Sequence, residues 1–333
     1  MTVSSSDSKP KAGISGKAAG AHKLEDRPKG NMMNELFMKP EEVEKILSKK
    51  KGLALVLGVA SMLIMAILFL GIAVDSIMAT RALMKTDLDI RTYRAQVTKW
   101  NLLDVGKVAI LFLFFGYVLV IMESCFVSAK MFRLFKEDNF RMIFNSSILD
   151  GLAVVLILYF TITRYKENLA ALGLSAKNFV RNVFYGLVGY VAATPVLIAV
   201  LIIILIIINI TKYVPEQQPV VELFLKEKNT AFLVFTSLFA AVMGPIIEEL
   251  FFRGFMYNAF KKYTGIFWAT LITAVIFAAL HTNLVGFLPI MVLGILLAYL
   301  YEKTGTLVSS MTVHIIHNLS MVFFVFLVKQ LKP

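Results

Sequence analysis

Two adjacent glutamates at the end of an apolar stretch are the residues of this chain best suited to acid–base chemistry. Glu248 and Glu249 directly follow the apolar run 231–247, and Arg253 comes four residues after Glu249. On a helix of 3.6 residues per turn the two carboxyl groups point about 100° apart, and Glu249 shares a face with Arg253. The spacing predicts that Arg253 neutralises Glu249. Glu248 is then free to hold a water molecule as a general base.

Three of the four histidines lie in or beside apolar runs within the last 60 residues. His281 follows Phe277 by four residues, so the phenyl ring can pack beside the imidazole and exclude water. His314 and Asn318 are also four apart and point the same way on a helix. An imidazole can donate, accept or bind a metal, and an asparagine amide can donate to a developing oxyanion. We interpret His317, three residues from His314, as a supporting residue.

The same residues are compatible with two kinds of catalytic site. Glu248, His281 and His314 could coordinate a divalent metal such as zinc, which needs three or four convergent ligands. A metal-free site is equally open, in which Glu248 and His281 polarise a water while His314 and Asn318 hold the carbonyl oxygen. The sequence alone does not separate these two chemistries.

A purely structural interpretation is open for some of the set. Glu249 and Arg253 could form a salt bridge at a helix end near the membrane surface, where such pairs contribute little. His281 could cap a helix C-terminus, where the helix dipole favours it. Neither interpretation accounts for Glu248, because no cation lies three or four residues from it on either side.

Membrane-spanning helices must position these residues. The 333-residue chain is 58% hydrophobic and has a net charge of +12. Its basic residues lie mainly between and outside long uncharged runs. That distribution is typical of a membrane protein and argues against nucleic-acid binding. Lipid allows only helices or closed barrels, and continuous runs of this length favour helices. We predict an all-α membrane protein, a bundle of about eight transmembrane helices with a central polar cavity. The lone Cys125 excludes an intrachain disulfide.

Composition divides the chain into three parts. Residues 1–45 are polar and rich in Ser, Gly, Lys and Ala, which predicts a disordered basic N-terminal tail. Residues 46–165 hold N-terminal transmembrane helices of unassigned role, and residues 166–333 hold the chemistry. Within the second part, we interpret Asp150 as the cap of a helix start and find no role for Glu123. Basic segments flank the spans on both sides of an eight-span bundle, so the orientation stays open.

The three motifs, taken in order, resemble those of a known family. Glu-Glu-x-x-x-Arg, Phe-x-x-x-His and His-x-x-x-Asn on successive apolar helices look like the CPBP family. These are the CAAX-processing and bacteriocin-processing intramembrane proteases, also called the Abi family. The resemblance covers about residues 231–325, and the segment 301–310 is similar to the lead-in to the family's third motif. It implies an eight-helix membrane protease with a cavity open to one side, and in this chain a protease core over 166–333.

The resemblance also implies which residues act. Glu248 becomes the essential carboxylate, and the other motif residues converge on it or complete the first motif. The implied catalytic set is Glu248, Glu249, Arg253, His281, His314 and Asn318. Family members that act on prenylated proteins remove a C-terminal tripeptide after the lipidated cysteine. Many bacterial members are linked instead to bacteriocin immunity or maturation.

We therefore expect a CAAX-type intramembrane endopeptidase, with a metalloprotease mechanism as one of the two alternatives. Its expected partners are the lipid bilayer and a membrane-bound protein or peptide substrate, for which prenylated CAAX-type proteins are one candidate class. The expected location is the bacterial cytoplasmic membrane, as a multi-pass protein. The alternatives are a non-catalytic membrane scaffold or bacteriocin-immunity protein of the same fold, and a proton-coupled transporter with buried Glu and His relays.

Overall fold

Helices are the only regular elements in the part of the chain that the computed structural model describes, as the sequence predicts. The described residues are 40–83, 98–128, 137–213, 215, 218–281 and 284–331. The α-helices are α1 (Pro40–Lys49), α2 (Lys51–Leu83), α3 (Leu102–Ser128), α4 (Asp138–Leu158), α5 (Phe179–Thr211), α6 (Pro219–Lys226), α7 (Thr230–Leu238), α8 (Gly244–Glu249), α9 (Asn258–Leu280), α10 (Leu284–Thr304) and α11 (Leu307–Leu331). Three π-helical segments, Tyr159–Arg164, Phe239–Met243 and Leu250–Tyr257, and a short 3₁₀ turn, Leu169–Leu172, join some of them.

Seven helical runs among the described residues are long and apolar enough to cross a membrane. The sequence predicts about eight because it counts 231–247 and 263–280 as separate spans. Both lie in a single run of 51 residues, Thr230–Leu280. A straight helix of that length would extend roughly 76 Å at 1.5 Å per residue, far more than the roughly 30 Å of a bilayer core. The run therefore has to turn back.

The reversal occurs at Gly265, whose φ of 76° and ψ of 175° are not helical. Phe252 and Phe277 lie on opposite sides of it in sequence, and their ring centroids are 5.0 Å apart. On a straight helix the same residues would be about 37 Å apart. The described residues thus form eight apolar helical segments that could cross a membrane. Lys50 Nζ donates to the carbonyl of Gln330 at 2.8 Å, so the first span starts where the last one ends, as an even number requires. The all-α membrane bundle is confirmed.

Helices from both predicted parts of the membrane region pack together. Residues 41–333 form one compact unit, in which α2 packs along α5 and α4 contacts α8. The division at 165/166 stays a prediction about composition. Helix α1 begins inside the segment predicted as a tail, and its acidic first turn and basic last turn suit the helix dipole. The rest of that tail, residues 1–39, lies outside the described residues.

Replacing Gly265 with alanine tests the reversal. A Cβ at this position would meet nothing within 4 Å, so the cost comes from the backbone conformation alone. We expect Gly265→Ala to lower the free energy of unfolding by about 1–3 kcal/mol, because this region of φ and ψ is almost restricted to glycine. Denaturant titration in detergent micelles measures it. In the control Gly58→Ala on α2, where the Cβ is equally unobstructed, we expect a gain of up to about 1 kcal/mol. Equal shifts in both variants would contradict the reversal.

Candidate active site

The two glutamates lie on α8, a six-residue helix between two π-helical segments. Pro245 has no N–H and cannot donate to the carbonyl of Ala241, so the α-helical pattern is interrupted just before the glutamates. The π-helical segment Phe239–Met243 is a widened turn that lies at this interruption. A second widened turn, Leu250–Tyr257, directly follows α8. Such π-bulges occur frequently at functional sites. Here they set the direction of the acid pair and of the residues after it.

Side chains from distant parts of the chain bond the carbonyl groups of the widened turns. Asn318 on α11 donates its amide to the carbonyl of Ala240 at 2.9 Å. Trp100 is fully buried, stacks on Phe255 with ring centroids 5.3 Å apart, and donates its indole N–H to the Phe255 carbonyl at 2.8 Å. An unbonded carbonyl in lipid costs several kcal/mol. These contacts therefore stabilise the irregular backbone on both sides of α8.

Glu249 belongs to a fully buried ion pair. Its Oε1 lies 2.8 Å from Arg253 Nη1, and the two side chains are 0% and 1% exposed. Arg253 also donates to the carbonyl of Gly294 at 3.2 Å, and its guanidinium lies 4.5 Å from the centroid of the Phe277 ring. The structural interpretation as a surface salt bridge at a helix end is wrong, because the pair lies in the interior of the bundle.

Glu248 has a different environment from its neighbour. Its side chain is 35% exposed, and its Oε2 lies 3.6 Å from Nε2 of His314. The other ring nitrogen of His314, Nδ1, lies 3.0 Å from Glu249 Oε1. One buried imidazole thus lies between the two carboxylates. Oε2 of Glu248 is buried, and no hydrogen-bond donor of the described residues reaches it. A separation above 3.5 Å suits a bridging water.

His281 lies beside the same aromatic ring as His314. The Phe277 ring centroid is 4.7 Å from that of His281 and 5.6 Å from that of His314. Nδ1 of His281 lies 2.8 Å from the Phe277 carbonyl. A carbonyl only accepts, so Nδ1 is the donor, and Nε2 is left for another partner. His281 also ends α9, the position at which the sequence allows a helix cap.

The structure thus brings most of the sequence-predicted set together. Arg253, Glu249, His314 and Glu248 form one connected group, and His281 shares an aromatic neighbour with it. This arrangement pairs Glu248 with His314, whereas the sequence paired it with His281.

Two residues of the third motif contact other helices. Asn318 has its amide directed at Ala240, as described above. His317 contacts α5, where its Nδ1 lies 3.4 Å from the hydroxyl of Tyr190. Its position is that of a residue supporting helix packing. The second hydrogen of the Asn318 amide is left for a further acceptor.

The three predicted metal ligands, Glu248, His281 and His314, are not gathered around one point in this structure. Among the described residues, no group of three or more His, Cys, Asp and Glu side chains gathers closely enough to hold an ion. Nδ1 of His314 contacts Glu249, and Nδ1 of His281 contacts a carbonyl. Nε2 of each imidazole is then the nitrogen left for a metal, and a metal-dependent mechanism stays a prediction.

Sequence reasoning missed two residues of the N-terminal part of the membrane region. Trp100 contacts the second widened turn, and no local pattern indicates this contact. Asp150 lies on α4, which contacts the helix that carries Glu248. Its interpretation as a helix cap is wrong, because α4 begins at Asp138 and Asp150 lies well inside it. A charge within the apolar run was the available signal.

Comparison with known proteins agrees with the motifs. Residues 230–320 match the family described as "Type II CAAX prenyl endopeptidase Rce1-like". The chain is also similar to a protein of Bacillus subtilis (strain 168) named "Putative membrane peptidase YdiL", with 32% identity over 94 residues. That match covers 28% of this chain and 36% of the relative, so the chain spans about a third of the relative's length. No solved structure matches the chain. The resemblance of residues 230–320 to the CPBP-type membrane proteases is therefore confirmed.

Removing the buried cation tests the ion pair. We expect Arg253→Ala to lower the free energy of unfolding by about 3–5 kcal/mol, because Glu249 would be left as an uncompensated buried charge. Thermal or denaturant unfolding in detergent measures the loss. Lys226 and Glu222 on α6 form the matched control, with the same spacing and order but 73% and 46% exposed side chains. We expect Lys226→Ala to cost less than about 1 kcal/mol. Similar costs in both variants would contradict a buried pair.

The hydrogen bond of Trp100 can be tested with a substitution that keeps an aromatic ring at this position. Trp100→Phe retains stacking on Phe255 but removes the indole donor, leaving a buried carbonyl without its partner. We expect a loss of about 1–3 kcal/mol in the free energy of unfolding. Trp268, the other tryptophan of the chain, is 56% exposed, and we expect Trp268→Phe to leave that free energy nearly unchanged. An unaffected Trp100→Phe protein would show that the bond does not support the widened turn.

Proposed function

We propose that this chain is an intramembrane endopeptidase that hydrolyses a peptide bond of a membrane-associated substrate with a water molecule activated by Glu248. One observation carries the proposal. Two adjacent glutamates lie on either side of a single imidazole, one fully buried and ion-paired, the other partly open. A purely structural ion pair with Arg253 needs only the buried Glu249. The second is available for chemistry.

Arg253 and Glu249 act on the reaction through His314. Arg253 fixes the Glu249 carboxylate, and Glu249 accepts the Nδ1–H of His314. Because Nδ1 of His314 carries this proton, the unprotonated Nε2 is the nitrogen that faces Glu248. An acid that orients an imidazole, which in turn faces the reacting group, is the logic of catalytic triads. We assign Arg253 and Glu249 as positioning residues and Glu248 as the general base.

The hydrolysis then has a simple proton balance. Glu248 takes a proton from water as the water oxygen bonds to the carbonyl carbon, and the carbonyl oxygen becomes an oxyanion. The proton passes from Glu248 to the leaving nitrogen as the C–N bond breaks, which gives a carboxyl group and an amine. The second amide hydrogen of Asn318 is the donor that we assign to the oxyanion.

The substrate is assigned by resemblance. The matched family is described by its action on CAAX prenyl substrates, and the relative is named a membrane peptidase. A prenylated peptide ending in Cys-aliphatic-aliphatic-X is therefore the first candidate substrate for this chain, and other membrane-tethered peptides come next. We propose a multi-pass position in the bacterial cytoplasmic membrane for the enzyme.

Glu248→Gln tests the general base. The purified protein in proteoliposomes is given a panel of prenylated and membrane-tethered peptides, and the products are followed by mass spectrometry. We expect Glu248→Gln to lower the rate of cleavage by about 10²–10⁴-fold, because the amide cannot take the proton from water. Glu222→Gln on the exposed helix α6 is the control and should cleave normally.

Two results would argue against hydrolysis by Glu248. A Glu248→Gln protein that cleaves at the wild-type rate would remove Glu248 from the mechanism. The non-catalytic scaffold is favoured if the wild-type protein binds the peptides but cleaves none, and the Glu248→Gln protein keeps the biological activity.

A further inference from the structure

Helix α4 lies outside residues 230–320, the segment that matches the protease family, yet it carries an acidic residue on its inward face. Asp150 lies seven residues from Ile143 and seven from Ile157, which are 7% and 0% exposed. Seven residues are close to two helical turns, so the three side chains form one stripe. Ala153, one turn further, is buried on the same stripe. Asp150 therefore faces the bundle and not the lipid.

The stripe of α4 meets the catalytic segment. Helix α4 contacts α8, the six-residue helix that carries Glu248. The carboxyl groups of Asp150 and Glu248 interact electrostatically, and the Asp150 side chain is only partly buried. On the Glu248 side, Oε2 has no donor among the described residues. The two carboxyl groups thus lie within electrostatic range of each other, and that of Glu248 is partly open.

Carboxylates of like charge that face one another in a poorly solvated space repel each other strongly. A water molecule between them relieves the repulsion, because it has two O–H groups and can donate one to each. Structural packing alone would not favour an acid at this depth, since a charge without a partner is costly within a membrane. The position of Asp150 is explained if it shares a ligand with Glu248.

We propose that Asp150 is a second carboxylate of the active site and that it holds, together with Glu248, the water molecule that attacks the peptide bond. The proposal rests on the proposed function and adds to it a residue of the N-terminal helices. It gives a role to part of the region 46–165, whose role the sequence leaves unassigned.

The step balances without a further reactant. One O–H of the water donates to Glu248, and its proton is transferred as the oxygen bonds to the carbonyl carbon. The other O–H donates to Asp150 and stays on the oxygen, which becomes part of the product carboxyl group. The proton on Glu248 goes to the leaving nitrogen as the C–N bond breaks. Asp150 begins and ends in the same protonation state, so its contribution is to fix the direction of attack.

Two variants of nearly the same size separate this role from packing. Asp150→Asn keeps an oxygen that accepts a hydrogen bond, whereas Asp150→Leu keeps only the shape. We expect Asp150→Leu to lower kcat by about 10²-fold with KM nearly unchanged, because the water loses its direction. Asp150→Asn should fall between Asp150→Leu and the wild type. Asp138→Asn, at the exposed start of the same helix, is the matched control and should cleave normally.

A role of Asp150 in packing alone predicts the opposite order of kcat for the two variants. Asp150→Leu would then keep its kcat, and changes in the variants would follow thermal stability and the yield of folded protein in size-exclusion chromatography. A wild-type kcat in the Leu variant overturns the proposal. Loss of kcat in both variants together with loss of folded protein overturns it as well.

A second measurement does not depend on activity. Cys125 is the only cysteine, so Cys125→Ser gives a cysteine-free background. Asp150→Cys with Glu248→Cys should be joined by a short bifunctional thiol reagent, and the pair Asp138→Cys with Glu248→Cys should not. Absence of the first cross-link overturns the placement of Asp150. If the wild-type protein cleaves no peptide, the proposed hydrolysis fails, and a positive cross-link still supports the shared pocket.

Discussion

A charged pair buried in the interior of the bundle is the constraint that organises the rest of this molecule. Arg253 and Glu249 would each be costly in the interior alone, and together they still need further partners. The carbonyl of Gly294, the Phe277 ring and the imidazole of His314 supply these partners from three different helical segments. The pair therefore fixes the relative positions of α9, α10 and α11. Glu248 is placed by the same contacts, because it is the next residue and shares the same imidazole.

The irregular backbone around α8 adds a second constraint. Its widened turns require side-chain donors, and Asn318 on α11 and Trp100 just before α3 provide them. The N-terminal helices are thus part of the scaffold of the site, even though the family resemblance begins only at residue 230. Packing of α4 against α8 brings Asp150 into the same neighbourhood. These stabilising contacts involve residues outside the three motifs.

The sequence predicts the helical class, the long spans and the motif residues because each has a local signature. Charges within apolar runs identify Glu248, Glu249 and Arg253, and spacing pairs the last two. The sequence does not predict that His314 lies between both acids, since that depends on how α11 packs against α8. It misassigns Asp150 because a position near the start of an apolar run does not distinguish a helix cap from an inward-facing acid. Trp100 could not be identified, because its partner is a backbone carbonyl freed by an irregular turn 155 residues away.

The order of these parts along the chain has a consequence for biosynthesis. The carboxylates of α8 leave the ribosome before the imidazole of α11, which lies on the last described helix. A growing chain that has inserted its first seven helical segments holds the acid pair and its arginine but lacks the group that joins them. On the proposed mechanism, Glu248 lacks His314 until the final helix enters the bilayer, so we expect nascent chains to be inactive.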